Sequence, residues 1–370
     1  MSEHAPALRI GLVGPLPPPS GGMANQTLQL ANLLRGEGCD VEMIQVNAAY
    51  RPAFVARVPG VRALFRLVPY LLHLWAAAGR VQVFHVMANS GWSWHLFAAP
   101  AIWIGRLRRC PVVVNYRGGE ADNFMRASGA SVRPSMLRAA AMIVPSGFLE
   151  AVFKRHGVAT QVVPNIINLE RFSASTRAIV ADAPSILVAR NLEPLYDNET
   201  ALQAFAIVAR SYPGARLVIA GSGPSRASLE QLAHDLGVAA AVTFTGRVDN
   251  AGMAQLYNDA DLMLNPSKID NMPNSVLEAL ASGVPVVSTN VGGVPDLVED
   301  GKTALLVPPQ SPQAMADAIL RLLDEPALAG RLRAAGLHYV RQFAWPDVRP
   351  RLLQVYRSAL QPSLRPGEIP

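Results

Sequence analysis

Two cysteines, Cys39 and Cys110, are all that the chain contains. They stand far apart without metal-ligand spacing, which excludes a disulfide framework and a zinc site and makes a reducing cytoplasm the natural setting. No run of about twenty apolar residues occurs, so no segment reads as a membrane-spanning helix. The opening residues, MSEHAPALRI, lack a basic segment followed by an apolar core, which disfavours secretion. Lysine is nearly absent, with three in the chain. Zinc-finger and ribonucleoprotein motifs and aromatic-interleaved basic runs are also missing, which argues against a nucleic-acid partner.

Apolar residues, by contrast, make up half of the 370. That length exceeds one ordinary core and suits two α/β domains of about 150 to 200 residues each. Charge is unevenly divided: residues 1–175 carry 17 Lys and Arg against 8 Asp and Glu, net +9, whereas 176–370 carry 16 against 19, net −3. A basic first half fits an anionic lipid surface or a lipid-diphosphate acceptor. Two stretches, 61–80 and 91–109, mix Trp and Leu with Arg but are interrupted by proline. They read either as peripheral membrane contacts or as buried helices of an α/β domain.

Alternation of apolar runs with helical patterns predicts one doubly wound domain over the first half. Its strands are expected at 8–13, 41–45, 81–86, 111–115, 142–144 and 161–163, with a helix at about 25–35. A second domain follows, with strands at 185–189, 216–220, 242–245, 262–264 and 284–288 and helices near 199–211, 225–236 and 251–258. The opening strand, Gly-containing loop and helix are Rossmann-like. Pro15, Pro17, Pro18 and Pro19 nevertheless lengthen the turn, and Gly21 and Gly22 arrive too late for a dinucleotide fingerprint, so a dehydrogenase is disfavoured.

The most informative segment is 265–296, NPSKIDNMPNSVLEALASGVPVVSTNVGGVPD. Pro266 and Pro273 hold the chain out of regular structure until Asn274 or Ser275 caps a helix ending at Gly283. Unpaired N–H groups in its first turn, together with the helix dipole, favour a bound anion, most often phosphate. Glu278, one turn in, is placed to accept hydrogen bonds from ribose hydroxyls, and Asp270 on the loop from a second polyol. Ser275 and Glu278 equally fit a capping box in which Glu278 only satisfies the cap.

This stretch resembles the donor-site segment of the retaining glycosyltransferases of family 4, the group 1 glycosyl transferases. Asp270 stands where that family usually has the first of two glutamates, Glu278 being the second. Gly292-Gly293-Val294-Pro295-Asp296, then residues 298–301 and 305–308, follow the family in order and spacing. The resemblance implies an α/β GT-B fold, two facing Rossmann-like domains with a cleft between them. The acceptor domain would span 1–170, joined by a C-terminal helix at about 346–362, and the donor domain 171–345, with a hinge near Pro164–Phe172. The tail itself, FAWPDVRPRLLQVYRSAL, reads as helix broken by proline.

The same resemblance implies roles for single residues. Arg190 corresponds to the arginine that clamps the donor diphosphate, and its planar fork suits phosphate oxygens. Tyr196 and Asn198 lie where the family adds a lysine, which leaves Lys268 as the candidate replacement from the opposite wall, and all three together with Asn191 are candidate donor-binding residues. Asn271, Met272 and Pro273 would orient the hexose, and the amides of Asn274, Ser275 and Val276 would face the diphosphate. Gly22 belongs to a Gly-Gly loop that approaches the donor phosphates, Gly223 to a GxGP turn, and Arg247 and Val248 to the segment under the nucleotide base; for these glycines a plain turn is the competing role. The Asp259–Asp261 pair spells D-x-D but reads as a helix end and strand start, and neither metal nor cofactor is required.

In the first half, Arg117, Gly118, Gly119 and Glu120 occupy the place of a family histidine, and Arg117 with Gly118 is the candidate acceptor site. His85 and His95, near expected strand and helix ends, read as structural. The implied activity is transfer of a hexose from a nucleoside-diphosphate sugar to a glycan or lipid-linked hydroxyl, with retention, in cell-surface polysaccharide or glycolipid synthesis at the inner face of the cytoplasmic membrane. A nucleotide-sugar epimerase and a non-catalytic sugar-nucleotide-binding subunit are the alternatives.

Overall fold

The computed structural model describes residues 7–18, 21–50, 61–174 and 182–361. Pro19 in the proline-rich loop and residue 362 at the end of the expected C-terminal helix lie outside these. The chain divides into two compact units, Met1–Pro164 with Val348–Pro370, and Asn165–Asp347.

In the first unit, β1 (Arg9–Gly14), β2 (Asp40–Gln45), β3 (Val83–Ala88), β4 (Val112–Tyr116), β5 (Ala141–Val144) and β6 (Gln161–Val162) form one sheet in the order β2-β1-β3-β4-β5-β6. Every pairing is parallel. Each crossover carries a helix: α1 (Gly22–Gly36), α2 (Val61–Ala77), α3 (Ala99–Leu107), α4 (Ala121–Met136) and α5 (Gly147–Arg155). Helices cover both faces of such a sheet, so its central strands are mostly apolar, and all of β3 and β4 is buried, His85 and Asn115 included.

The second unit repeats the plan with β7 (Ser185–Ala189), β8 (Arg216–Ala220), β9 (Val242–Gly246), β10 (Leu262–Asn265), β11 (Val286–Thr289) and β12 (Leu305–Val307), ordered β12-β11-β10-β7-β8-β9. Its helices are α6 (Asn198–Ser211), α7 (Arg226–Asp235), α8 (Asn250–Asp259), α9 (Asn274–Ala281), α10 (Val294–Leu297), α11 (Pro312–Asp324) and α12 (Pro326–Tyr339), whereas α13 (Trp345–Leu360) belongs to the first unit from Val348 onward. Alternate strand residues feed two cores: Ile186, Val188, Leu262, Leu264 and Val287 enter one, while Leu187, Met263 and Val286 enter the other.

Both sheets reverse strand order once. The chain runs outward through β1 and β2 and returns on the other side of β1 as β3; likewise it runs through β7, β8 and β9 and returns beside β7 as β10. Loops at the carboxyl ends of such neighbours diverge to opposite faces and open a crevice in which ligands bind. The loops after β7 and β10 are those that carry Arg190 and Asp270.

Several expectations shift. The strand expected from Val284 starts at Val286, because Val284 donates its N–H to Ala279 O and Gly283 to Leu280 O in closing α9. The strand expected from Val81 starts at Val83, since Val81 N–H bonds Ala77 O at the end of α2. His85 therefore lies in mid-strand, not at a strand end, and is fully buried. The tail is one helix rather than a broken one. Pro346 falls in the first turn of α13, where no N–H partner is required, and Pro350 sits one turn further in.

Candidate functional site

Arg190 is the residue immediately after β7, and the turn following β8 holds it in place. Leu192 N–H bonds Ser222 O and Ser225 N–H bonds Leu192 O. A Cβ on Gly221 would fall 2.0 Å from Arg190 O, and one on Gly223 2.3 Å from Leu192 O. Gly223, expected near the donor, thus serves to let two backbones pack. Arg247 reinforces the turn through Nε to Ser222 Oγ at 2.8 Å, and Val248 is half-buried against the second unit's core.

Asp270 belongs to the loop between β10 and α9, which a buried polar network fixes. Thr289 Oγ1 donates to Ser267 O at 2.6 Å, Ser267 Oγ to Asn265 Oδ1 at 3.0 Å, and Asn265 Nδ2 to Ser288 Oγ at 3.0 Å. Satisfied networks of this kind hold a loop in one conformation. Gly293 N–H bonds Asp270 O at 2.9 Å. Gly292, at φ +54°, passes so close that a Cβ would lie 2.0 Å from that same oxygen.

The two loops bring Arg190 and Asp270 into direct contact. Arg190 Nη2 is paired with Asp270 Oδ2, Nη1 reaches Ser275 Oγ at 3.4 Å, and the guanidinium lies over the Tyr196 ring at 4.2 Å. Nε is buried with no partner among the described residues. Burial pushes the Asp270 carboxyl above the usual carboxylate range, and Arg190, Ser267 and Asn265 only partly restore it. Arg190 is held in place by the Asp270 carboxylate, the Ser275 hydroxyl and the Tyr196 ring.

Glu278 faces a partner that sequence reasoning missed. Tyr257, on α8 and fully buried, has its hydroxyl 3.0 Å from Glu278 Oε2 and 3.1 Å from Ser275 O. Burial raises the Glu278 carboxyl to about 7, although Tyr257, Arg171 and Arg190 all favour its charged form. The capping-box role is not realised. The N-cap of α9 is Pro273, without a side-chain cap bond. Asn274 and Ser275 do not cap the helix either: Asn274 Oδ1 accepts from Asn165 Nδ2 at 2.8 Å, and Ser275 Oγ accepts from Arg190.

Of the three amides expected to face an anion, that of Val276 already bonds Pro273 O at 3.1 Å. The amides of Asn274 and Ser275 are the first two of the helix and have no acceptor within it. Asn165, also missed, ties down the preceding loop through Nδ2 to Met272 O at 3.0 Å, while its Oδ1 is buried without a partner among the described residues. Asn271 and Met272 are buried in that loop. Nothing in the sequence distinguishes Tyr257 or Asn165 from an ordinary core tyrosine or loop asparagine.

Lys268 is not on an opposite wall. Its N–H bonds Leu195 O at 2.9 Å and its Nζ lies 3.4 Å from Asp197 Oδ1, so its charge sits beside the very turn that lacks a lysine. On that turn Asn198 is buried and donates to Asn191 O, while the Asn191 side chain is exposed and bonds Glu193. Asp261, of the D-x-D spelling, accepts from Ser185 N–H at 2.8 Å at the start of β7.

In the first unit, Gly22 opens α1. Arg117 and Gly118 follow β4, at the neighbouring strand end to β3. Gly118 packs against Ser90, Asn89 and Tyr116, and Ser90 Oγ lies 2.6 Å from Tyr116 OH. Burial lowers Arg117 to about 10. His85 Nδ1 and Tyr356 OH on α13 share a 2.8 Å hydrogen bond, and the ring lies 3.3 Å from Asn115 Nδ2; burial and Arg117 drop it to about 3, which keeps the imidazole neutral.

The loops after β7 and β10 thus gather a cation on a rigid turn, the first amides of α9 and a buried carboxyl with a hydroxyl partner, groups whose chemistry suits an anion joined to a polyol. The description "Glycosyl transferases group 1" fits residues 183–325, and "Glycosyltransferase Family 4" fits residues 20–171. The chain belongs to the family 4, group 1 glycosyltransferases. Among its relatives, D-inositol 3-phosphate glycosyltransferase of Saccharomonospora viridis is 32% identical over 218 residues, 55% of this chain and 51% of that one. A GDP-mannose-dependent alpha-(1-6)-phosphatidylinositol monomannoside mannosyltransferase of Mycobacterium tuberculosis is 34% identical over 186 residues, 48% of each chain. The chain thus spans about half the length of the curated relatives it matches.

Solved structures match along nearly the whole chain. Sucrose-phosphate synthase from Thermosynechococcus elongatus has a TM-score of 0.75 at 24% identity, covering 95% of this chain and 98% of its own. Anabaena HepE in complex with UDP-glucose has a TM-score of 0.73 at 18% identity, covering 95% and 100%. At such identities the likeness establishes the fold, which is GT-B.

Proposed function

We propose that the protein transfers a hexose from a nucleoside-diphosphate sugar to a hydroxyl acceptor, with retention at the anomeric carbon. The observation that carries this reading is the meeting of Arg190, the start of α9 and Glu278 at the point where the second sheet reverses its strand order. Arg190 and the Asn274 and Ser275 amides take the diphosphate. Asp270, displaced from Arg190 by that diphosphate, turns to the hexose hydroxyls with Asn271 and Met272 beside it, and Glu278 grips the ribose. Lys268 adds charge near the Tyr196 turn.

In the reaction, the bond from the anomeric carbon to the diphosphate oxygen breaks, the bond to the acceptor oxygen forms, and the acceptor's proton leaves with the diphosphate. Negative charge grows on the leaving group, and donors already in position stabilise it without reorganisation. The inositol phosphate and phosphatidylinositol mannoside named for the relatives favour a polyol or lipid-linked acceptor. Arg117, a buried cation at a strand end of the first unit, is the residue that suits an anionic group on it. Cell-surface polysaccharide or glycolipid synthesis on the cytoplasmic side of the membrane is the setting that fits.

Incubation with a panel of UDP-, GDP- and ADP-sugars and polyol or lipid-linked acceptors tests the reading. Nucleoside diphosphate released together with an acceptor-dependent glycosylated product supports it. An isomerised sugar nucleotide, or binding without turnover across the panel, overturns it.

A further inference from the structure

We propose that the first unit docks on an anionic lipid bilayer through the outer face of α2 and the adjoining α3. The inner face of α2 is ordinary core: Tyr70, Leu74 and Ala77 are buried. Its outer face is not polar. Leu64, Phe65, Val68, Leu72 and Trp75 recur at the helical repeat and all are exposed, Leu72 by 66%. Trp103 and Leu107, one turn apart on α3, extend the apolar surface, with Leu107 exposed by 70%. Large exposed patches of this kind mark an interaction site.

Charge selects the occupant. From residue 43 to residue 119 the sequence has nine arginines and neither aspartate nor glutamate. Guanidinium groups border the patch itself, Arg108 lying 4.9 Å over the Trp75 ring and Arg138 4.8 Å over Trp103. Such a rim repels a second copy of itself and attracts acidic headgroups, while indole rings favour the headgroup layer and arginine stems lie along apolar surface. The contact is superficial, because no helix among the described residues is long and apolar enough to cross a membrane. The proposal rests on this surface alone and does not depend on the transfer reaction.

Flotation with vesicles of phosphatidylcholine alone, and with about a third phosphatidylglycerol, tests it. The wild type is expected to float with the anionic vesicles at low salt, to lose most of that binding in molar salt, and to show a blue shift of tryptophan emission on binding. Leu64→Asp with Leu72→Asp, both at exposed positions and checked for folding by circular dichroism, should weaken partitioning about tenfold or more. Arg108→Gln and Arg138→Gln should each weaken it about fivefold on anionic vesicles. The proposal is overturned if the wild type stays in the soluble fraction at low salt, if the aspartate pair binds as tightly as wild type, or if sedimentation shows a wild-type dimer that the aspartate pair dissolves, which would assign the face to a second copy.

Discussion

Replacing Glu278 by glutamine removes a buried ionisation while keeping the side chain's shape and an oxygen for the Tyr257 hydroxyl. Folding raises this carboxyl from an ordinary 4.5 to about 7, chiefly through burial. The folded protein therefore holds the proton more tightly than the unfolded chain does. Stability linked to it is full below about pH 4.5 and is lost as pH rises through 7. At about 1.4 kcal/mol per pH unit, that gap corresponds to about 3 kcal/mol by pH 8. Glutamine titrates nowhere in this range, so Glu278→Gln should match wild type near pH 4 and become the more stable protein by about 3 kcal/mol at pH 8. Urea unfolding read by hydrogen exchange of peptides spanning 262–289 isolates the second unit, and comparison at each pH cancels intrinsic exchange. Tyr257→Phe, which removes a bond favouring the carboxylate, should leave the onset of the loss near pH 4.5 and extend it to higher pH. A stability difference between Glu278→Gln and wild type that stays constant from pH 4 to 8 would refute the reasoning.

Arg190→Ala should weaken nucleoside diphosphate binding about a hundredfold by calorimetry, as expected when a preorganised charge-assisted contact is lost. Asp270→Ala should behave oppositely: it releases Arg190, so UDP or GDP binds at least as tightly, while turnover falls about a hundredfold or more because the hexose is no longer oriented. Parallel loss of nucleotide affinity and turnover in Asp270→Ala would rule out the exchange of Arg190 between carboxylate and diphosphate. Gly292→Ala places a methyl against Asp270 O at a positive φ, and should cost about 2 kcal/mol or more in denaturant melts; an unchanged midpoint would show that the loop gives way.

Legibility of the chain in its sequence varied with the range of the forces involved. Strands such as Ser185–Ala189 and Arg216–Ala220 are found where their apolar runs place them, because a strand covered on both faces has nothing else to be. Boundaries slipped where a neighbouring helix claimed the first amides, as Ala279 O does with Val284. Strand order was not legible, yet it is what sets Arg190 beside Asp270 across 80 residues of chain. Tyr257 and Asn165 escaped notice for the same reason: each acts through a long-range contact that no spacing announces. Val276 shows a smaller failure, since the first turn of α9 tightens enough for its amide to find Pro273 O. The stretches 61–80 and 91–109 read as both apolar and basic, but only the structure separates the buried face of α2 from the exposed one.

The most direct measurement is a crystal structure of the protein soaked with UDP or GDP. The diphosphate is expected within hydrogen-bonding distance of Arg190 and of the Asn274 and Ser275 amides, with Asp270 turned away from the guanidinium and the ribose hydroxyls on Glu278. A nucleotide bound elsewhere in the second unit, with the Arg190–Asp270 pair intact, would contradict it.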